Sequence, residues 1–106
     1  MCDLFFKHEM EIEFDKNKDD INIRKHHYSL ECAVDIMSSL LLLQGSKIIF
    51  SDGYLENGEV RYMAKALYQD RVVLFVFTMR DDNMRIISFR DASDEEEEHF
   101  WSELNG

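Results

Sequence analysis

Four arginines, Arg61, Arg80, Arg85 and Arg90, stand among Val, Ile, Phe and Thr residues in the second half of the chain. A guanidinium presents a planar fork of N–H donors that matches two oxygens of a phosphate or a carboxylate. Arginines spread over neighbouring strands therefore suit a phosphate-bearing ligand, although nearby carboxylates would serve as their partners equally well. His26 is the side chain best suited to move a proton near neutral pH, and it stands beside the Lys25 cation. The same pair would also complement the negative end of a helix. Glu59 shares a strand face with Arg61 and could orient it, act as a base, or simply pair across strands. Thr78 and Ser88 share parity with Arg80 and Arg90 in their strands, so hydroxyl and guanidinium groups can cluster. Neither hydroxyl has the Ser/His/Asp surroundings of a nucleophile. Cys2 and Cys32 form no CxxC pair and no zinc spacing with His8, His26, His27 or His99. No metal or other cofactor is expected.

Positioning falls to the stretch from Arg71 to Arg90. Its β-branched and aromatic content predicts two strands, Arg71–Met79 and Met84–Arg90, joined by a polar turn at Arg80–Asn83. The first is apolar on both faces and is expected at the centre of a sheet, with Val73, Phe75, Val76, Ile86 and Ile87 among the most buried residues. Glu59–Tyr68 alternates as a further strand, and Glu11–Phe14 as an edge strand. Asp15 caps an expected helix over Lys16–Lys25, and Ser29 one over Leu30–Ser38 with Leu30, Ala33, Val34 and Met37 as its buried stripe. Leu40–Ser51 suits a hairpin or an extended segment, and Ser51–Gly58 a loop. Ser93 and Glu96 have capping-box spacing, which predicts a last helix from about Asp94 to Leu104. Phe100 and Trp101 could stack on bases, but their helical spacing favours a core role. Arg85 and Arg90 have opposite parity, so only a bulge or strong twist brings both to one site. Arg90, at the strand end, is then the expected phosphate contact, with Arg61 as companion.

Length and 45% hydrophobic content suit one domain with a single modest core, residues 1–106, with residues 1–9 as an N-terminal extension of little consequence for stability. The apolar runs are too short for a membrane span, and Asp3 and Glu9 interrupt any signal-like start, so a cytosolic location is expected. The net charge of −10 disfavours nucleic-acid binding by the surface as a whole. Yet residues 91–106 hold seven of the 22 acidic residues and none of the 12 basic ones, leaving a net of −3 in the first ninety. Glu59–Arg90 itself carries six basic residues against four acidic ones.

The series Ile12, Glu13, Phe14, Asp15, Lys18, Asn22, Lys25, His26, Ser29, Glu31 and Ala33, then Glu59, Arg61, Tyr62, Arg71 and Thr78, then Arg85-Ile86-Ile87-Ser88, Arg90 and Ala92 resembles the BrnT family over roughly residues 12–100. The resemblance implies a RelE-like α+β fold with two N-terminal helices, an antiparallel sheet of about four strands and one C-terminal helix. It further implies a metal-independent ribonuclease toxin of a type II toxin–antitoxin system. Such a toxin is neutralised by a BrnA-type antitoxin carrying a DNA-binding domain, through which alone operator DNA is contacted. On that reading Lys25, His26, Glu59, Arg61, Arg85 and Arg90 are catalytic candidates, and Arg80 and Ser88 RNA contacts. The chain departs from the pattern at His27, where glycine is usual, and at Phe89, where alanine is usual. Acidic Asp94, Glu95, Glu97 and Glu98 replace common basic residues, and Phe100 replaces a tyrosine. These departures define an alternative, a catalytically weak or inactive relative acting as an antitoxin-binding, autoregulatory module.

Overall fold

The computed structural model describes residues 10–106. Strand β1 (Ile12–Phe14) is followed by helices α1 (Lys16–His26) and α2 (Leu30–Leu42). Strands β2 (Ile48–Phe50), β3 (Tyr54–Glu56), β4 (Glu59–Tyr68), β5 (Arg71–Arg80) and β6 (Asn83–Asp91) come next, and helix α3 (Asp94–Asn105) closes the described chain. The sheet order is β1-β6-β5-β4-β2, with β3 added to the far end of β4. The doubly apolar strand is thus central, as its composition demands.

Two-residue turns set the meander. Asn57-Gly58, Gln69-Asp70 and Asp81-Asp82 all have positive φ at both positions, the geometry that matches the twist of flanking strands. Antiparallel register then puts Ala66, Ala64 and Tyr62 beside Val73, Phe75 and Phe77, and these beside Phe89 and Ile86. Helix α2 covers this face with Leu30, Ala33, Ile36, Met37 and Leu40, making the main core. Val72, Leu74, Ile87 and Phe100 are buried outside that cluster. Phe89 lies fully buried between Tyr28 and Phe75, ring centroids 4.9 and 4.7 Å away.

Several expectations need correction. The sheet has six strands among the described residues, and it is mixed rather than antiparallel with about four strands. The reason is β1, which runs parallel to β6, anchored by Met84 N–H to the Glu11 carbonyl at 2.9 Å and Asp15 N–H to that of Ile86 at 2.9 Å. Alternation reveals a strand but not the direction of a partner 70 residues away. Leu40–Leu42 continue α2 instead of starting a hairpin, since the Leu40 side chain completes its buried stripe. Residues 54–56, expected as loop, pair with β4 as β3. Val76 is half-buried, while Val73, Phe75, Ile86 and Ile87 are buried. The proposed extension, residues 1–9, lies outside the described residues.

Candidate functional site

Register decides which side chains meet. Val76 pairs with Ser88, but the next pair is Phe77 with Ile86, so Ile87 is an extra residue, a β-bulge in β6. Paired residues point to the same side of a sheet. Arg85 pairs with Thr78, Ser88 with Val76 and Arg90 with Leu74. Thr78, Val76 and Leu74 have one parity, so Arg85, Ser88 and Arg90 all face the side opposite α2. Met63 and Lys65 join them from β4, and with them, by parity, Arg61 and Glu59. Seven sequence candidates or their neighbours therefore share one surface. The bulge lies where two isoleucines follow one another, and neither carries a mark that tells it from a regular strand residue.

Along that surface the candidates fall into two groups. At the β3 end, Arg61 Nη1 donates to Glu56 at 2.6 Å and its Nε to Glu59 at 3.4 Å, while Arg80 Nη2 reaches the other Glu59 oxygen at 3.4 Å. Arg85 Nη1 donates to Glu13 at 2.6 Å across the β1–β6 pair. Thr78, between Arg85 and β4, gives its hydroxyl to the Val60 carbonyl at 2.9 Å. Glu59 thus bridges two arginines, one on its own strand and one on the neighbouring strand. Arg61 lies in the row of Arg85, and Arg90 in that of Leu74 and Lys65, about 13 Å further along the strands. The two arginines expected to act as companions are in different rows.

The second group forms where α1 meets β6. Helix α1 is held by Asn22, its buried residue. The Asn22 amide accepts from Phe89 N–H at 3.0 Å and the Ser88 hydroxyl at 3.3 Å, and donates to the carbonyls of Phe89 at 2.9 Å and Tyr28 at 2.8 Å. All four of its hydrogen-bonding positions are filled. The sequence assigns Asn22 no role beyond its place in the series that resembles the BrnT family, and on a polar helix nothing marks it as the buried residue. One turn later stands half-buried His26. Burial lowers its pKa below the ordinary 6.5, and the cations of Arg90 and Lys25, with His27, lower it further. Lys25 itself is exposed.

Arg90 is not open. Its Nη1 and Nη2 donate to the two oxygens of Glu96 at 2.7 and 2.9 Å. Glu96 also accepts from Ser93 N–H at 2.8 Å as half of the capping box that starts α3. The guanidinium holds the Glu96 carboxyl down to about 2. Helix α3 so lies against the arginine face, leaving a cleft of about 410 Å³ lined by Met63, Lys65 and Leu74 from the sheet and Glu96, His99 and Glu103 from α3. Phe100 is buried and Trp101 half-buried, with Lys47 over the indole at 5.8 Å. Among the described residues no group of three or more His, Cys, Asp or Glu side chains could hold a metal ion, and no helix is long and apolar enough to cross a membrane.

The sheet face thus carries two hydroxyls and four guanidinium groups, each guanidinium already on a carboxylate, and at its α1 border stands His26 with its lowered pKa and exposed Lys25 beside it in sequence. A family model described as the ribonuclease toxin BrnT of type II toxin–antitoxin systems matches residues 14–96. A crystal structure of the ribonuclease toxin BrnT from Brucella abortus superposes with a TM-score of 0.56 at 22% identity, covering 81% of this chain and all of that one. No curated protein matches.

Proposed function

The chain belongs to the BrnT family of type II toxin–antitoxin toxins, and from that premise we propose that it is a metal-independent, RelE-like endoribonuclease working at the junction of α1 and β6. One observation carries the proposal: His26 stands within the field of Arg90, and Ser88 faces the same side of the sheet. Cleavage requires removal of a 2′-hydroxyl proton, attack of that oxygen on the adjacent phosphorus, and protonation of the departing 5′-oxygen. A histidine held below its ordinary pKa is neutral at physiological pH and can accept the first proton. Arg90 is placed to neutralise charge growing on the phosphoryl oxygens. Lys25 is the nearby cation and proton donor, and Ser88 a phosphate contact. The Arg61–Arg80–Arg85 group lies further along the same face, where it would hold the flanking RNA backbone.

The proposed partner is a BrnA-type antitoxin whose DNA-binding domain supplies any operator contact, both acting in the cytosol. A second reading has an observation of its own. The two-point pair of Glu96 with Arg90 favours a weak or inactive relative that serves as the antitoxin-binding module. Induced expression with and without the neighbouring antitoxin gene, together with RNA incubation in chelator, separates the readings. Growth arrest relieved by the neighbour, and cleavage that survives chelation, support the ribonuclease. No arrest and no cleavage at normal protein levels would leave the binding module.

A further inference from the structure

We propose that Asn22 is a positioning residue for the candidate site, the amide that sets His26 against Arg90. The inference rests on the reading above for its claim that this pair acts on RNA. Its structural content is independent of that reading.

Helix α1 has little apolar surface with which to dock. Ile21 and Ile23 are 39% and 42% exposed, whereas Asn22 is 3% exposed. Directional bonds rather than apolar burial must therefore set where the helix sits. The Asn22 amide grips both backbone groups of Phe89, the residue between Ser88 and Arg90. It also holds the Ser88 hydroxyl and the Tyr28 carbonyl just beyond the helix end. His26 follows Asn22 by four residues and so lies on the same side of the helix, one turn on. A single amide thus ties a point one turn before His26 to a point one residue before Arg90. With oxygen and nitrogen each serving two partners, the amide has one orientation that satisfies all four. A carboxylate of the same shape would face two carbonyl oxygens, and a methyl would leave the whole set unpaired. Beyond β1, which pairs only as far as Ile86, this side chain also supplies the partner for the outer edge of β6.

The test is an NMR titration of His26 in the full chain. In the parent protein Arg90→Gln removes a neighbouring cation and is expected to raise the His26 pKa. In the Asn22→Ala background the same substitution should leave that pKa unmoved, while in a Ser88→Ala background it should still move it. Equal responses with and without Asn22 would overturn the proposal, since mere loss of stability does not uncouple two groups in a folded molecule. Should Asn22→Ala fail to fold, the parent protein decides. The two Asn22 Nδ2 protons are expected to exchange slowly with solvent and to show Overhauser contacts to Tyr28 and Phe89, with Arg90→Gln shifting His26. Fast exchange of those protons would overturn the proposal. None of these measurements uses RNA, so a protein that cuts nothing would defeat the ribonuclease reading alone, and a failed coupling would defeat the positioning role alone.

Discussion

Arg90 and Glu96 meet at two points, 2.7 and 2.9 Å, so the guanidinium fork is filled by the protein's own carboxylate much as two phosphate oxygens would fill it. Because Glu96 is also the third residue of α3 and closes its capping box, the start of that helix and the candidate phosphate contact form one unit. An RNA phosphate that reaches Arg90 must first displace Glu96. On the proposed reading the acidic run of α3 is more than a solvated face, since Glu96 would compete with RNA for Arg90.

Replacing Glu96 with glutamine separates the two roles of that side chain. Glutamine still caps a helix, but it offers no negative charge to Arg90. Glu96→Gln is expected to raise affinity for a short RNA several-fold, read by fluorescence anisotropy, and to make growth arrest on induction more severe. Stability should fall by only about 1 kcal/mol, since the pair is partly exposed and screened. Unchanged RNA affinity would show that Arg90 is not where the phosphate binds.

Arg90→Ala should act in the opposite direction. Loss of a cation that stabilises a transition state costs about 3 kcal/mol, or more than a hundredfold in rate. Toxicity and cleavage should both drop while antitoxin binding changes little and the melting temperature falls by only a few degrees, as for Glu96→Gln. Full toxicity of Arg90→Ala at equal protein level would remove Arg90 from the mechanism.

On the acid side of neutrality, stability is expected to depend on pH through Glu96 and His26. The folded-state pKa of Glu96 is depressed to about 2, so its contribution is complete above the ordinary value of 4.5 and is lost as pH falls from 4.5 towards 2. His26 is also depressed, from 6.5. Below 6.5 the unfolded chain binds a proton that the folded chain refuses until a lower pH, and stability falls through that window as well. Denaturant melts across pH should show both declines. Glu96→Gln should erase the lower one and His26→Gln the upper, and a lower decline that survives Glu96→Gln would place it on another carboxylate.

How much of this was legible follows from what each signal depends on. Strands β4, β5 and β6 announce themselves through alternation and β-branched content, and α3 through Ser93 and Glu96, because these are local preferences. The direction of β1 depends on β6, the existence of β3 on its pairing with β4, and the continuation of α2 on a core that only the fold assembles. Of the candidate site, the sequence offered only a set of residue types. Its arrangement turned on the Ile87 bulge, which moves Arg85 onto the face of Arg90, and on Asn22, whose sheet partners Ser88 and Phe89 lie 66 and 67 residues away.

Charge also bears on the partner. Arg61, Arg80, Arg85 and Arg90 are all paired with carboxylates, whereas α3 holds six acidic residues and no Lys or Arg. An antitoxin presenting Lys or Arg towards Asp94, Glu97 and Glu98 should associate more slowly as salt rises. The double substitution Glu97→Gln, Glu98→Gln should lower the association rate, measured by stopped flow, with little effect on dissociation. An association rate independent of salt would point to a mainly apolar interface.

The last expectation concerns the turn that follows the site. His27 ends α1 in the left-handed conformation, φ 65° and ψ 21°, and its N–H caps the Ile23 carbonyl. The resemblance to the BrnT family implies glycine at this position, and the backbone supplies a reason. A residue with a Cβ meets its own carbonyl there at a cost of roughly 1 kcal/mol, which glycine avoids. The His27 side chain also lowers the His26 pKa through its charge. His27→Gly is accordingly expected to stabilise the fold by up to about 1 kcal/mol, the released strain being partly offset by greater freedom of the unfolded chain. It should also raise the His26 pKa slightly. A thermal melt and the histidine titration check both effects in one variant. A clear loss of stability would mean that the His27 side chain makes a contact worth more than the strain it brings.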